Sequence, residues 1–295
     1  MNPLRSATFV VSNAADAAAR YVDWLGYQLV ETGLISPELA LSWGEEKSAG
    51  QPYSVVRPAS GRSVDIRLVQ STEVSNFQPL QSFGWAAIEL CVEDVQATCE
   101  RLRGGPFEII GPPAANPGLP TIHPMQVRSP DGEIIYLTQI LQGGPGSGLP
   151  QAKAPVDVLF IAVLGCEDMA SSAQWFAQQL GLTLDPAFEI PYRMLNQAFS
   201  LPSDTLHRLC TARKDGEFCI EFDQYPHAAK PRQKQVGHLP LGMAICSLYH
   251  PNLSLIKGPW LTPPTVRDGC IYEGRKVGVL RSPEGVLLEA IEELV

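Results

Sequence analysis

The stretch Glu217-Phe218-Cys219-Ile220-Glu221-Phe222-Asp223 alternates polar and apolar residues without a break. Successive side chains of a β-strand point to opposite faces. Glu217, Cys219, Glu221 and Asp223 are therefore expected on one face, with Phe218, Ile220 and Phe222 on the other. The acidic face is either a solvated outer surface or the wall of a cleft. In a cleft, carboxylates held close in partly apolar surroundings repel, which raises a pKa toward the range useful for proton transfer. Another carboxylate, Glu289, ends the run Arg281-Ser282-Pro283-Glu284-Gly285-Val286-Leu287-Leu288-Glu289, a tight turn feeding an apolar strand. Histidines, the other common acid–base and metal-binding residues, are few: His123, His207, His227, His238 and His250.

The elements that must carry these residues repeat. The turn and strand at Glu289 occur half a chain earlier as Arg128-Ser129-Pro130-Asp131-Gly132-Glu133-Ile134-Ile135-Tyr136, with Tyr136 in the place of Glu289. A second match joins residues 13–26 to 168–181: an Asn13 or Asp168 N-cap, an amphipathic helix and a closing Leu-Gly. Two matches at nearly constant spacing indicate a duplicated architecture. Gly143-Gly144-Pro145-Gly146-Ser147-Gly148-Leu149-Pro150 breaks the chain at its midpoint and reads as a linker. The expected domains are 1–142 and 154–295, joined by 143–153.

Each half divides again into strand, helix and three strands. In the first half the strands are expected at residues 7–11, 39–43, 53–56 and 64–69, then 85–92, 107–110, 123–127 and 134–140. Helices follow Asn13 and Asp94. In the second half the strands are 158–163, 188–190, a segment at Phe199, 218–222, 242–248, 277–280 and 286–291. A helix follows Asp168, and only a stunted turn occupies 250–256.

Bulk properties bound the function. The 295 residues suit two ordinary domains, and 45% apolar with 18% charged residues describes a folded protein. A net charge of -9 argues against binding nucleic acid through its phosphates. No apolar run reaches the ~20 residues of a membrane helix, and the first residues lack a signal-peptide pattern. Seven cysteines without a Cys-x-x-Cys pair point to reduced, buried thiols and a cytoplasmic protein.

In their order of strand, capped helix ending in Leu-Gly, three strands and a Ser-Pro-Asp/Glu-Gly turn, the modules resemble the vicinal oxygen chelate superfamily. That group includes glyoxalase I, extradiol dioxygenases and bleomycin resistance proteins. The resemblance implies an α+β fold of four tandem βαβββ modules, paired into two domains whose curled mixed sheets surround a cleft. It also implies a metal site built from the first and last strands of paired modules. Glu289 matches the last-strand ligand, whereas Tyr136 stands at that place in the first half. The first-strand positions fall on Ser6, Ala87, Ile161 and near Leu241–Gly242. None is histidine, so a two-histidine iron site is not expected.

On this layout Glu221 and Glu289 would face each other across a pseudo-twofold axis. They would act as acid/base groups or, with His238, as ligands of one divalent metal (Fe, Mn, Zn or Ni); a site without metal stays equally open, and His238 is otherwise a loop residue. Trp260, Tyr192, Phe199, Cys219, His123 and Tyr136 are candidates to line the cleft, which would suit a small aromatic or otherwise hydrophobic molecule. Two functions follow: a lyase or isomerase begun by proton abstraction beside a carbonyl, or a metal-free small-molecule binding or sequestering protein. Extradiol-type ring cleavage is a further alternative. The working site is expected in the C-terminal half, with the N-terminal half structural. Monomer and homodimer both fit.

Overall fold

The computed structural model describes residues 2–71, 77–115, 119–144 and 146–293. The turn-like stretch 116–118 and Pro145 of the linker lie outside them. The first module comprises β1 (Leu4–Val11), α1 (Ala14–Leu25), β2 (Tyr27–Leu34), α2 (Pro37–Ser42), β3 (Pro52–Pro58) and β4 (Asp65–Gln70). The second comprises β5 (Gly84–Val92), α3 (Val95–Leu102), β6 (Glu108–Gly111), β7 (Ile122–Arg128) and β8 (Ile134–Ile140). The third holds β9 (Val156–Cys166), α4 (Met169–Leu180), β10 (Thr183–Leu184), β11 (Phe188–Pro191), α5 (Arg193–Ala198), β12 (Leu206–Lys214) and β13 (Glu217–Gln224). The fourth holds β14 (Gly242–His250), β15 (Trp260–Arg267), β16 (Arg275–Arg281) and β17 (Leu287–Glu292), with a 3-10 turn at Leu253–Leu255 where the others have a helix.

Local chemistry explains the repeat. Asn13 accepts from the amides of Ala15 and Asp16 to start α1, and Gly26 stops it in the left-handed region at φ 72°. Asp168 and Gly181 (φ 66°) do the same for α4. Both Ser-Pro-x-Gly turns close alike: Gly132 N donates to Ser129 O at 3.0 Å, and Gly285 N to Ser282 O at 2.9 Å. Two expected strands are corrected. Leu39–Trp43 belongs to α2 and its cap, because Ser36 Oγ accepts from Leu39 N and Pro37 opens the helix. Phe199 is the C-cap of α5 rather than a strand residue.

The sheets do not coincide with the two halves of the chain. One runs β15-β16-β17-β14-β1-β4-β3-β2 and joins the first module to the fourth. The other runs β10-β12-β13-β9-β5-β8-β7-β6 and joins the second to the third. The seams are antiparallel: Ala7 pairs with Cys246, and Ile88 with Ala162. Each cleft therefore draws one module from each half. α4 packs on one face of its sheet, where Phe176 meets Trp85 (5.8 Å) and Phe222 (5.4 Å) edge to face. The opposite face carries the polar residues considered next. All seven cysteines are free, and all but Cys270 are buried.

Candidate functional site

Each sheet gathers polar residues on one face, to which a short helix, α2 through Trp43 or α5 through Tyr192, adds a side chain, and the two clusters differ in electrostatics. In the first–fourth cleft, Glu289 on β17 is fully buried and sits beside its register partner Ser247. Five side chains donate to it. Ser247 Oγ and Tyr272 Oη approach to 2.6 Å, and Trp43 Nε1 to 2.8 Å. Arg267 lies at 3.3 Å and Arg67 at 3.4 Å. A carboxylate has about four acceptor sites, so this one is saturated. Burial alone would raise its pKa, but Arg67 and Arg267 outweigh that and lower it. Arg67 stacks over Trp43 at 4.8 Å and Tyr272 at 5.6 Å, two of the rings that donate to Glu289. This cleft holds an ionised, locked carboxylate.

The second–third cleft has the opposite character. Glu221 and Asp223 stand two residues apart on β13, and Glu89 lies on β5 beside its register partner Tyr136 of β8. Tyr192, the residue opening α5, brings its hydroxyl 2.6 Å from that of Tyr136 and 3.2 Å from Glu221 Oε1. Thr138 Oγ1 donates to Glu89. Among the described residues, none of the three acids is paired with a cation. Burial, followed by the charge of Glu221, pushes Glu89 up to about 8. Burial pushes Glu221 up to about 7, and Asp223 is raised by burial and by Glu221. Burial also raises Tyr136 and Tyr192. Asp223 and Glu89 are buried, while Glu221 keeps partial exposure. Such a group of acids holds protons near neutral pH and can exchange them with a ligand.

The expected facing of Glu221 and Glu289 is overturned: they lie in different sheets, because the modules pair across the halves. His238 does not complete a metal site with them. Its amide donates to Gln235 O in the loop ahead of β14, and the donors on Glu289 include no histidine. Among the described residues, no three His, Cys, Asp or Glu side chains are placed to hold a metal ion, so these residues do not fit a three-ligand metal centre.

Of the lining candidates, Tyr192 and Tyr136 come together with Glu221, and Phe199 borders them, its ring 6.2 Å from Tyr225. Trp260 does not join them. A Cβ on Gly278 would fall 2.3 Å from its ring, and Gly278 pairs with Ala290, so Trp260 packs on the face opposite Glu289. His123 alternates with Gln126, the partner of Tyr136, and falls with buried Met125 and Val127 on the other face. Cys219 is displaced by a bulge. Ala212 pairs with Ile220 but Arg213 with Phe218, which leaves Cys219 as the extra residue. Its Sγ donates to Ala212 O, while Phe218 lies 3.6 Å under the Arg213 guanidinium. The strict alternation therefore fails at Cys219 but holds for Glu221 and Asp223.

Sequence reasoning missed Glu89, Tyr225 and His207. Glu89 had a signal, as the one charged residue in the apolar run 85–92. Tyr225 lies just past β13, its ring over Gly165, where a Cβ would come within 2.6 Å. His207 on β12 binds Asn196 Oδ1 at 2.7 Å and meets the Tyr192 ring edge-on at 6.5 Å.

No protein-family model and no curated protein matches the sequence. Solved structures do. A glyoxalase I variant from Zea mays superposes with a TM-score of 0.66 at 14% identity, covering 98% of this chain and 93% of that one. Wild-type maize glyoxalase I gives 0.64 at 14% identity, over 98% and 92%. A Bacillus subtilis protein described as a candidate dioxygenase gives 0.64 at 12% identity, over 100% and 86%. At these identities the likeness establishes architecture, and it spans the whole chain. The protein thus shares the fold of maize glyoxalase I over nearly its whole length.

Proposed function

We propose that the second–third cleft is a proton-transfer site for a small organic molecule with an acidic C–H beside a carbonyl, serving an isomerase- or lyase-type reaction. One observation carries the reading: Glu221 and Asp223 share a strand face without a cation, and Tyr192 links Glu221 to Tyr136. The Glu289 cleft offers no such group, because its carboxylate is saturated and ionised.

In the reaction, ionised Glu221 takes the proton from carbon. The C–H electron pair becomes the new C–C π bond, and the carbonyl π pair moves onto oxygen, where the hydroxyl of Tyr192 or Tyr136 donates a hydrogen bond. With an α-hydroxyl present, its proton passes to the former carbonyl oxygen, its freed pair forms the new carbonyl, and the π pair takes a proton from protonated Asp223 or Glu89 at the former carbonyl carbon, which completes an isomerisation. In a lyase the enolate pair instead expels a leaving group from the β-carbon. Pairs of acids with divergent environments suit the two roles of base and acid.

The test is solvent exchange. Aryl ketones with an α-hydroxyl or α-amino group are incubated with the protein in deuterated water, and loss of the α-proton signal is followed by NMR. Exchange above the buffer rate, lost in Glu221→Gln while binding persists, is the expected result. Binding across the panel without exchange would instead identify a protein that only sequesters its ligand.

A further inference from the structure

Among the described residues, four other buried carboxylates are matched by cations, and one, Glu133 at the Ser-Pro-Asp-Gly turn, stands alone with neither oxygen bonded. Glu289 has Arg67 and Arg267, Asp65 has Arg5 and Arg57, Glu45 has Lys234 and Arg281, and Asp157 has Arg62. Glu89, Glu221 and Asp223 depart from this pattern: the groups acting on them are one another, Thr138 and Tyr192. A buried charge without a partner is costly, so three together are a group that a positive charge would stabilise.

Two unsatisfied atoms mark that place. Asp223 Oδ1 and Tyr225 Oη are buried with no hydrogen-bond partner, in residues 1% and 3% exposed. Asp223 pairs in register with Gly165, and the Tyr225 ring covers Gly165, so acceptor and ring adjoin. Around them stand the rings of Tyr136, Tyr192 and Phe199. Arg232, which acts on Tyr225, is taken up by the carbonyls of Trp85 and Met243 and by Ser82 Oγ.

We infer that this cleft receives a small organic ammonium ion, its N–H groups directed at Asp223 and Glu221 and its apolar body against the tyrosine rings. The inference rests on the second–third cleft being the working site. An ammonium supplies donors for Asp223 Oδ1 and a cation for the aromatic faces. A carboxylate or phosphate ligand would meet three acids and, among the described residues, no cation nearer than Arg232 behind Tyr225, which disfavours anionic ligands. Binding draws the acids toward ionisation and releases protons. The titratable groups facing the ammonium are Glu89, Glu221, Asp223, Tyr136, Tyr192 and Tyr225, with His207 behind Tyr192 and Arg232 behind Tyr225.

The experiment is calorimetric titration of the full chain at neutral pH with benzylamine, benzyl alcohol and benzoate. Benzylamine is expected to bind about tenfold or more tighter than benzyl alcohol, with proton release visible in buffers of different ionisation enthalpy, and benzoate is expected not to bind. Glu221→Gln and Asp223→Asn, each checked for an unchanged melting profile, should weaken benzylamine about tenfold and leave benzyl alcohol unaffected. Benzoate binding as well as benzylamine, benzylamine insensitive to both substitutions, or no benzylamine binding at millimolar concentration would overturn the inference. Ketone exchange without amine binding would remove this inference and keep the proton-transfer reading; amine binding without exchange would do the reverse.

Discussion

The same chemical change should have opposite consequences in the two clefts. Glu289→Gln keeps the side-chain volume but removes the charge that holds Arg67 and Arg267 in a buried site. It also turns an amide NH2 toward hydroxyl and indole donors that approach to 2.6–2.8 Å. Breaking a buried ion pair on one side costs about 3–5 kcal/mol, because a desolvated charge is left without a partner. For a domain of this size that is a fall in melting temperature on the order of 10 °C. Glu221→Gln removes a carboxyl that burial leaves only partly ionised near neutral pH and that no cation holds, so its cost should stay within about 1 kcal/mol. Urea denaturation of the three proteins, with midpoints compared at a common slope, measures both differences. The pH dependence adds a sign. Glu289 has a lowered pKa in the folded state, so its contribution is present above the unfolded pKa and fades as pH falls through the folded one. The gap between wild type and Glu289→Gln should therefore narrow on acidification. Equal destabilisation by the two substitutions, or a greater effect at Glu221, would refute the division of roles.

Glu89 should show the opposite pH dependence. Its pKa is raised from 4.5 to about 8, so its contribution is complete below the unfolded value and lost as pH rises through the folded one. Wild type should lose up to ~4 kcal/mol between about pH 5 and 8, at roughly 1.4 kcal/mol per pH unit, relative to Glu89→Gln; parallel profiles would contradict the assignment. Gly165→Ala places a methyl 2.6 Å from the Tyr225 ring and should push that ring into the second–third cleft. Binding of benzylamine should weaken severalfold while the Glu289 network, read by Arg67-dependent stability, is unaffected; unchanged affinity would place Tyr225 outside the site.

Much of the architecture was legible because local signals agreed with the global pattern. The caps Asn13, Asp94 and Asp168, the stop glycines Gly26 and Gly181, and the two Ser-Pro-x-Gly turns all stand where the sequence predicts them. Module pairing was not legible. Adjacent modules in the chain and modules paired in space carry the same β-strand pattern, and the seam contacts Ile88–Ala162 and Ala7–Cys246 are apolar pairs with no local signature. That single ambiguity moved Glu289 away from Glu221. Leu39–Trp43 misled because a short apolar run fits a strand or a buried helix, and Pro37 after Ser36 was the deciding sign. The bulge at Cys219 is set by pairing with β12, which no stretch of β13 alone reveals. Glu89 was readable as a charge inside an apolar strand, whereas its neighbours arrive from a different half of the chain.

The central claim is that, of the two clefts, the second–third one holds protonatable carboxylates while Glu289 stays ionised in the other. Carbon-13 NMR of labelled glutamate side-chain carboxyls, followed from acid to alkaline pH, tests it without knowledge of the substrate. The account predicts carboxyl signals titrating near neutral pH, of which those of Glu221 and Glu89 disappear in Glu221→Gln and Glu89→Gln and that of buried Glu133 stays in both, while Glu289→Gln removes a signal that is already ionised there. A full set of glutamates titrating in the ordinary acid range, or a neutral-range signal lost only in Glu289→Gln, would contradict it.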